Sequence, residues 1–150
     1  KVVNNIPLIL RPGFITKEDI ISVIGKCEIS KFVFEKAEGK VESPGMLYRH
    51  YAPNTKCILV DKEKIAEVAN KYSKPIIIGS SDLKDVKSLK FFNYGNNYNE
   101  IAHNIFNLLR RADKEKGEVI IIEAVDSVGL GLAIMNRLIR TCEYNYIKGE

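Results

Sequence analysis

The densest group of chemically capable side chains lies in residues 43–53, a segment that holds two prolines and follows no helical or strand period. Four consecutive residues there are Tyr48, Arg49, His50 and Tyr51. Aromatic rings can stack on a base, a guanidinium can pair with phosphate, and an imidazole can carry a proton. From the residues alone, two interpretations stay open: a lid that closes over a ligand, or a strap packed between domains.

Arg11 is a second candidate, because it stands where an apolar run over residues 2–10 ends at a Pro-Gly pair. Such a run predicts a strand that stops at this pair. Ligands of α/β proteins bind where strands end, and a guanidinium can donate two parallel hydrogen bonds to a phosphate. Taken alone, Arg11 is either a phosphate ligand of this kind or a surface arginine in a loop.

Gly129 and Gly131 follow a strongly apolar run and are superficially similar to a dinucleotide-binding loop. Ile134 stands where that motif has its third glycine, and five residues separate Glu123 from Gly129 where the motif has a tight turn. The favoured interpretation is a flexible loop that leads into a helix with a buried apolar face. Nucleotide binding by this loop is the alternative.

The remaining polar side chains have plainer interpretations. His103 lies beside the apolar stripe of a predicted helix, with no histidine or cysteine at metal-ligand spacing, so it is taken as a packing residue. The three cysteines lie far apart and are expected to be reduced thiols. We therefore predict no metal site. Asn136 and Arg137 lie on the last predicted helix, and for these two side chains an orientation toward solvent and one toward a site both stay open.

The formal charge of +4 is spread evenly along the chain. Residues 1–53 carry eight basic and six acidic side chains, and residues 54–150 carry fifteen and thirteen. Phosphate backbones need a focused basic surface, so this distribution argues against direct nucleic-acid binding. No apolar run of about 18 residues and no secretory signal pattern is present, which predicts a cytoplasmic protein without membrane contact.

The elements that must position these candidates alternate regularly after residue 54, which predicts an α/β fold. The pattern favours a Rossmann-like parallel sheet of about four strands with helices on both faces. The predicted order is strand 56–61, helix 62–72, strand 75–79, a short helix or turn at 81–88 beginning at Ser80, strand 89–93, helix 98–114, strand 118–124 and helix 131–142.

The amino-terminal part has a different pattern. After the strand at 2–10, Thr16 and Asp19 are placed to cap a short helix that ends at Gly25, and residues 27–34 are predicted to be extended. A lone strand cannot pair both its edges, so we expect residues 1–34 to be the end of a larger domain. Residues 35–53 are predicted to be an irregular linker, and residues 54–150 a separate domain.

Three motifs, in the same order, resemble the two-domain threonylcarbamoyl-adenylate synthases, in which a YrdC-like catalytic domain precedes a smaller C-terminal domain. The first is the strand end at residues 2–4 and 9–13, Val-Val-Asn and Ile-Leu-Arg-Pro-Gly. The second is the linker at 44–46 and 48–53, Pro-Gly-Met and Tyr-Arg-His-Tyr-Ala-Pro. The third is the helix start at 129–138, Gly-Leu-Gly-Leu-Ala-Ile-Met-Asn-Arg-Leu.

The resemblance implies an enzyme that joins ATP, L-threonine and bicarbonate into threonylcarbamoyl-AMP and pyrophosphate, with magnesium, for the threonylcarbamoyladenosine of tRNA. It implies that Arg11, His50 and Tyr51 contact the nucleotide, supported by Tyr48 and Arg49. It also implies that the catalytic residues lie outside this chain, which alone is expected to be inactive.

The resemblance further implies that proteins of the tRNA-modification pathway are partners. Two other hypotheses remain open. In the first, the C-terminal domain is a module that binds tRNA or a partner protein. In the second, it is an independent nucleotide-binding regulatory domain.

Overall fold

A computed structural model describes residues 1–35 and 53–149. They form a small three-stranded sheet near the amino terminus and a five-stranded sheet in the rest of the chain. Most of the predicted linker, residues 36–52, lies outside the described residues.

The first sheet begins with a hairpin. Strands β1 (Val2–Val3) and β2 (Ile6–Ile9) pair antiparallel, and Asn4 and Asn5 form a two-residue turn with φ of 50° and 61°. The prediction of one strand over residues 2–10 is wrong here, because asparagine tolerates the left-handed conformation that such a turn needs. Strand β3 (Glu28–Ile29) then pairs parallel with β2.

Helix α1 (Lys17–Ile24) has the ends that its sequence predicts. The Thr16 hydroxyl accepts a hydrogen bond from the Asp19 amide at 3.1 Å, and the Asp19 carboxylate accepts one from the Thr16 amide at 2.8 Å. This reciprocal pair is a capping box, and its hydrogen bonds lower the pKa of Asp19. Gly25 ends the helix with a φ of 85°, which glycine adopts without strain.

The strands of the large sheet are β4 (Cys57–Val60), β5 (Pro75–Gly79), β6 (Lys90–Asn93), β7 (Val119–Glu123) and β8 (Tyr146–Ile147). The sheet is parallel throughout and has the order β6-β5-β7-β4-β8. The predicted α/β class is confirmed, but the predicted number of strands is one too few. Strand β8 has only two residues, and so short a segment carries no detectable period.

Helices cover both faces of this sheet, as predicted. Helices α3 (Tyr98–Lys114) and α4 (Leu130–Thr141) pack on one face. The other face carries α2 (Ile65–Ala69), preceded by the 3-10 turn Lys62–Lys64 in place of one continuous helix, and a second 3-10 turn, Ser81–Leu83. All residues of β5 and β7 are buried, since both faces of these central strands are covered.

One buried side chain ties the two parts of the chain together. Asn136 of α4 is 2% exposed, and its Nδ2 donates a hydrogen bond of 2.7 Å to the backbone oxygen of Val33. Val33 belongs to the short 3-10 helix that follows β3 and is fully buried. Asn136 therefore faces the amino-terminal segment and not solvent.

None of the helices in residues 1–35 and 53–149 has the length and apolarity that a membrane span requires.

Replacing Asn136 by alanine is expected to lower the free energy of unfolding by about 1 to 2 kcal/mol. The Val33 oxygen would lose its donor while buried, which outweighs the small gain in helix propensity. Chemical denaturation measures the loss, and the exposed Asn107 of α3, changed to alanine, is the control because it shares that gain. Equal stability of the two variants would contradict a structural role for the hydrogen bond.

Candidate functional site

The large sheet has a switch point between its neighbouring strands β5 and β7. The connection that leaves β5 runs onto the α2 face through Ser81–Leu83, and the connection that leaves β7 runs onto the opposite face through α4. Loops that diverge in this way open a crevice at the carboxyl ends of the strands, where α/β proteins bind ligands. A cavity of about 770 Å³ lies at this place, which we call the switch-point crevice.

Glu123, the last residue of β7, is the central polar group of the crevice and is only 5% exposed. Its carboxylate accepts hydrogen bonds from the Ser80 amide at 2.9 Å, from the Ser80 hydroxyl at 3.0 Å and from the Tyr94 hydroxyl at 2.6 Å. Burial, and then the hydrogen bond to Glu123, raise the pKa of the Tyr94 phenol. A buried carboxylate is thus held by three donors from two other strand ends.

The Ser80 side chain does not cap the turn that follows it, although the sequence predicts a helix start there. Its hydroxyl donates to Glu123, and the 3-10 turn Ser81–Leu83 begins without a side-chain cap. The interaction that decides its orientation is therefore tertiary.

The switch-point crevice is acidic. Among the residues that the structure describes, five carboxylates line it, whereas the one basic side chain, Lys62, already pairs with Asp82. The remaining acids are Asp61, Glu63, Glu123 and Asp126. Negative charge of this density repels phosphate groups, which disfavours direct binding of phosphates by these side chains.

Gly131 is explained by packing. A β-carbon at this position would lie 2.1 Å from the backbone oxygen of Asp126, so the chain can turn into α4 only if residue 131 has no side chain. Gly129 has a φ of 58°, which favours glycine. Both glycines therefore serve the path of the chain into α4, as the structural interpretation of this loop expects.

A second cavity, of about 570 Å³, lies between residues 11–14 and helices α3 and α4. Arg11 and Arg137 both line it, and its remaining walls are largely apolar. The guanidinium carbon of Arg137 is 4.0 Å from the centre of the Phe106 ring. Burial, and then the positive charge of Arg11, lower the pKa of Arg137. We call this the arginine cavity.

Of the candidates from the sequence, Arg11 is exposed and borders the arginine cavity. Tyr48, Arg49, His50 and Tyr51 lie outside the described residues. His103 is exposed on α3, and the three cysteines are buried free thiols. Within residues 1–35 and 53–149, no group of three or more histidine, cysteine or acidic side chains is arranged to hold a metal ion.

Sequence reasoning missed two features of these sites. Glu123 ends an otherwise apolar strand, and this position could have marked it as a strand-exit residue. Nothing in the sequence could have paired Arg137 with Arg11, because 126 positions of chain separate them and only folding brings them to one cavity.

Changing Tyr94 to phenylalanine is expected to lower the free energy of unfolding by about 1.5 to 3 kcal/mol, the cost of one hydrogen bond to a buried charged group. Thermal or chemical denaturation measures it. Tyr72 changed to phenylalanine is the matched control, since its ring packs against the apolar core and its hydroxyl has no hydrogen bond within the described residues. Equal losses in the two variants would show that the Tyr94 hydroxyl contributes nothing.

Comparison with known proteins identifies relatives of the whole chain. The sequence model of a family described as threonylcarbamoyl-AMP synthase, C-terminal domain, matches residues 15–142. The threonylcarbamoyl-AMP synthase of Pyrococcus abyssi is 38% identical over 154 aligned positions, and that of Bacillus subtilis is 33% identical over 146. These alignments cover 95% and 91% of this chain but 44% and 42% of the relatives. The chain thus spans less than half the length of these relatives.

Solved structures agree with the sequence relatives. A crystal structure of P. abyssi Sua5 complexed with L-threonine matches with a TM-score of 0.82 and 37% identity, covering 95% of this chain and 44% of that one. The C-terminal Sua5 domain of a Pyrococcus horikoshii protein matches with a TM-score of 0.53 and 33% identity, covering 65% of this chain and 99% of that one. The resemblance inferred from the three motifs is confirmed, and the chain belongs to the family of threonylcarbamoyl-AMP synthase C-terminal domains.

Proposed function

We propose that this chain is the C-terminal part of an enzyme that makes threonylcarbamoyl-AMP and pyrophosphate from ATP, L-threonine and bicarbonate. The product would supply the threonylcarbamoyl group for adenosine modification in tRNA. The names of the relatives support this activity, and the relative crystallised with L-threonine supports the amino acid as a substrate.

The observation that carries the proposal is the position of Arg11. It is exposed two residues after the end of β2, where the chain bends ahead of Pro12 and Gly13, and it borders a cavity. An arginine there can bind the phosphates of ATP through its two-pronged donor group. The neighbouring apolar surface supports a larger assembly, because Phe14 is 85% exposed and Val23 is 84% exposed. We assign this surface to contact with the catalytic part of the enzyme.

The chemistry explains why a lid is needed. The threonine amine and bicarbonate condense to a carbamate with loss of water. A carbamate oxygen attacks the α-phosphorus of ATP, and the bond to the β-phosphate breaks to release pyrophosphate. The product is a mixed anhydride that water hydrolyses, so a segment that excludes water protects it. Magnesium would accompany the ATP phosphates, and in this proposal its ligands come from the catalytic part.

We assign the lid to residues 43–53. In it, His50 and Tyr51 contact the nucleotide, and Tyr48 and Arg49 support them. The assignment draws support from a P. abyssi Sua5 variant in which a histidine and the tyrosine after it are both replaced by alanine. That protein matches this chain with a TM-score of 0.81 and 35% identity. This chain contains one such pair, His50 and Tyr51.

Replacing His50 and Tyr51 together by alanine in the full-length enzyme is expected to reduce threonylcarbamoyl-AMP synthesis at least tenfold. Loss of two nucleotide contacts and entry of water both act in this direction. Chromatography of the adenylate measures the rate. The exposed His103 on α3, changed to alanine, is the control for loss of an imidazole. Undiminished synthesis by the double variant would remove the lid from the mechanism.

The 150-residue chain by itself is expected to release no pyrophosphate from ATP above background in the presence of L-threonine and bicarbonate. The reason is that the proposed catalytic residues lie outside it. A coupled pyrophosphate assay on the chain and on the full-length enzyme tests this, with the full-length enzyme as the positive control. Equal activity of the two would place the catalytic residues within this chain.

The remaining expectations follow from the same proposal. The enzyme would act in the cytoplasm with other proteins of the tRNA-modification pathway. An independent nucleotide-binding role for residues 54–150 gains no support, since the switch-point crevice is acidic and the Gly129 loop has a structural explanation.

A further inference from the structure

The arginine cavity brings two cations together from distant parts of the chain. Arg11 comes from the end of β2, and Arg137 comes from α4 of the large sheet. The residues that line the cavity within the described chain include no acidic side chain. Two guanidinium groups that face one cavity repel each other, and an anion bound between them would remove this cost.

Arg137 is oriented by its contact with an aromatic ring. Its guanidinium carbon lies 4.0 Å from the centre of the ring of Phe106, a half-buried residue of α3, so a cation–π contact holds the group against this ring. A guanidinium held over a ring face has N–H donors left for other partners, and Arg137 lines the cavity. This is the arrangement in which arginine binds a planar or tetrahedral oxyanion through two parallel hydrogen bonds.

The walls of the cavity restrict what else can recognise a ligand. Apart from the two arginines, the walls formed by residues 1–35 and 53–149 consist of residues 12–14, small and aliphatic side chains of α3 and α4, and Phe106. Among these described residues, charged recognition comes from the two arginines. A volume of about 570 Å³ is within the range of small-ligand pockets and exceeds what one orthophosphate needs.

We propose that Arg137 and Arg11 together bind one phosphate-based oxyanion in this cavity, so that the C-terminal domain contributes a phosphate-binding residue of its own. The ligand class is a diphosphate group, either as free pyrophosphate or as the β- and γ-phosphates of a nucleotide. Naming ATP as its source rests on the proposed function, whereas binding of the diphosphate does not. Arg137 then has a direct role in ligand binding in addition to its packing contact.

The test uses the full-length enzyme with Arg137 changed to glutamine, which keeps a polar side chain and removes the charge. Calorimetric titration with inorganic pyrophosphate is expected to show at least tenfold weaker binding, since a charge-assisted pair of hydrogen bonds is lost. Titration with AMP, which lacks the diphosphate, is expected to be unchanged. In steady-state assays the KM for ATP is expected to rise while the KM for L-threonine stays the same.

The matched control is Arg111 changed to glutamine. Arg111 also stacks on a ring, with its guanidinium carbon 5.2 Å from the centre of Phe92, but it is exposed and outside the arginine cavity. Both variants lose one charge and one cation–π contact, so a general electrostatic effect would change both alike. Circular dichroism checks that both variants fold. The variant Arg137→Lys keeps the charge but lacks the paired N–H donors of a guanidinium, so its affinity for pyrophosphate is expected to lie between those of wild type and R137Q.

The outcomes separate the two proposals. Pyrophosphate affinity and KM for ATP that are unchanged in R137Q, in an enzyme that makes threonylcarbamoyl-AMP, overturn the inference and leave the proposed function intact. Weaker pyrophosphate binding in R137Q, in an enzyme that makes no threonylcarbamoyl-AMP, supports the diphosphate site and overturns the proposed function. An equal loss in R137Q and R111Q overturns the inference.

Discussion

Burial of β5 and β7 on both faces is the constraint on which the rest of this structure depends. Parallel strands need crossover connections, and these connections are the helices that cover the two faces. Parallel pairing also places every carboxyl end at one edge of the sheet. The switch-point crevice and the three donors around Glu123 exist because strands that are distant in sequence end side by side.

The tertiary structure separates charges that are mixed along the sequence. Five carboxylates meet in the switch-point crevice, whereas the arginine cavity is lined by two guanidinium groups and no acid among the described residues. The even distribution of charge along the sequence therefore does not reveal that the folded chain has one negatively charged crevice and one positively charged cavity. A formal charge of +4 carries no information about either of them, because the field at a cavity depends on the few groups that face it.

Helix α4 connects the large sheet to the amino-terminal segment. Its residue Asn136 donates to the buried backbone of Val33, and the next residue, Arg137, borders the same cavity as Arg11. A hydrogen bond to the amino-terminal segment and a charged side chain that shares a cavity with it thus come from neighbouring positions of one helix. The role in ligand binding that we propose for Arg137 would thus belong to the same helix that holds the amino-terminal segment in place.

The local physics of the sequence was sufficient for much of the fold. The capping box of Thr16 and Asp19, the αL end at Gly25, and the apolar runs of β4, β5 and β7 all depend on neighbouring residues, and all were predicted. The family resemblance read from the three motifs is likewise confirmed for the chain by its relatives.

Features that depend on distant residues were missed or left open. They include the two-residue strand β8, the Ser80 side chain that bonds Glu123, and the cavity shared by Arg11 and Arg137. In each, a weak local preference is decided by a partner that only folding supplies. The sequence by itself therefore determined the elements and the family, and only the tertiary structure decided which charged side chains meet, because electrostatic and hydrogen-bond partners act through space and not along the chain.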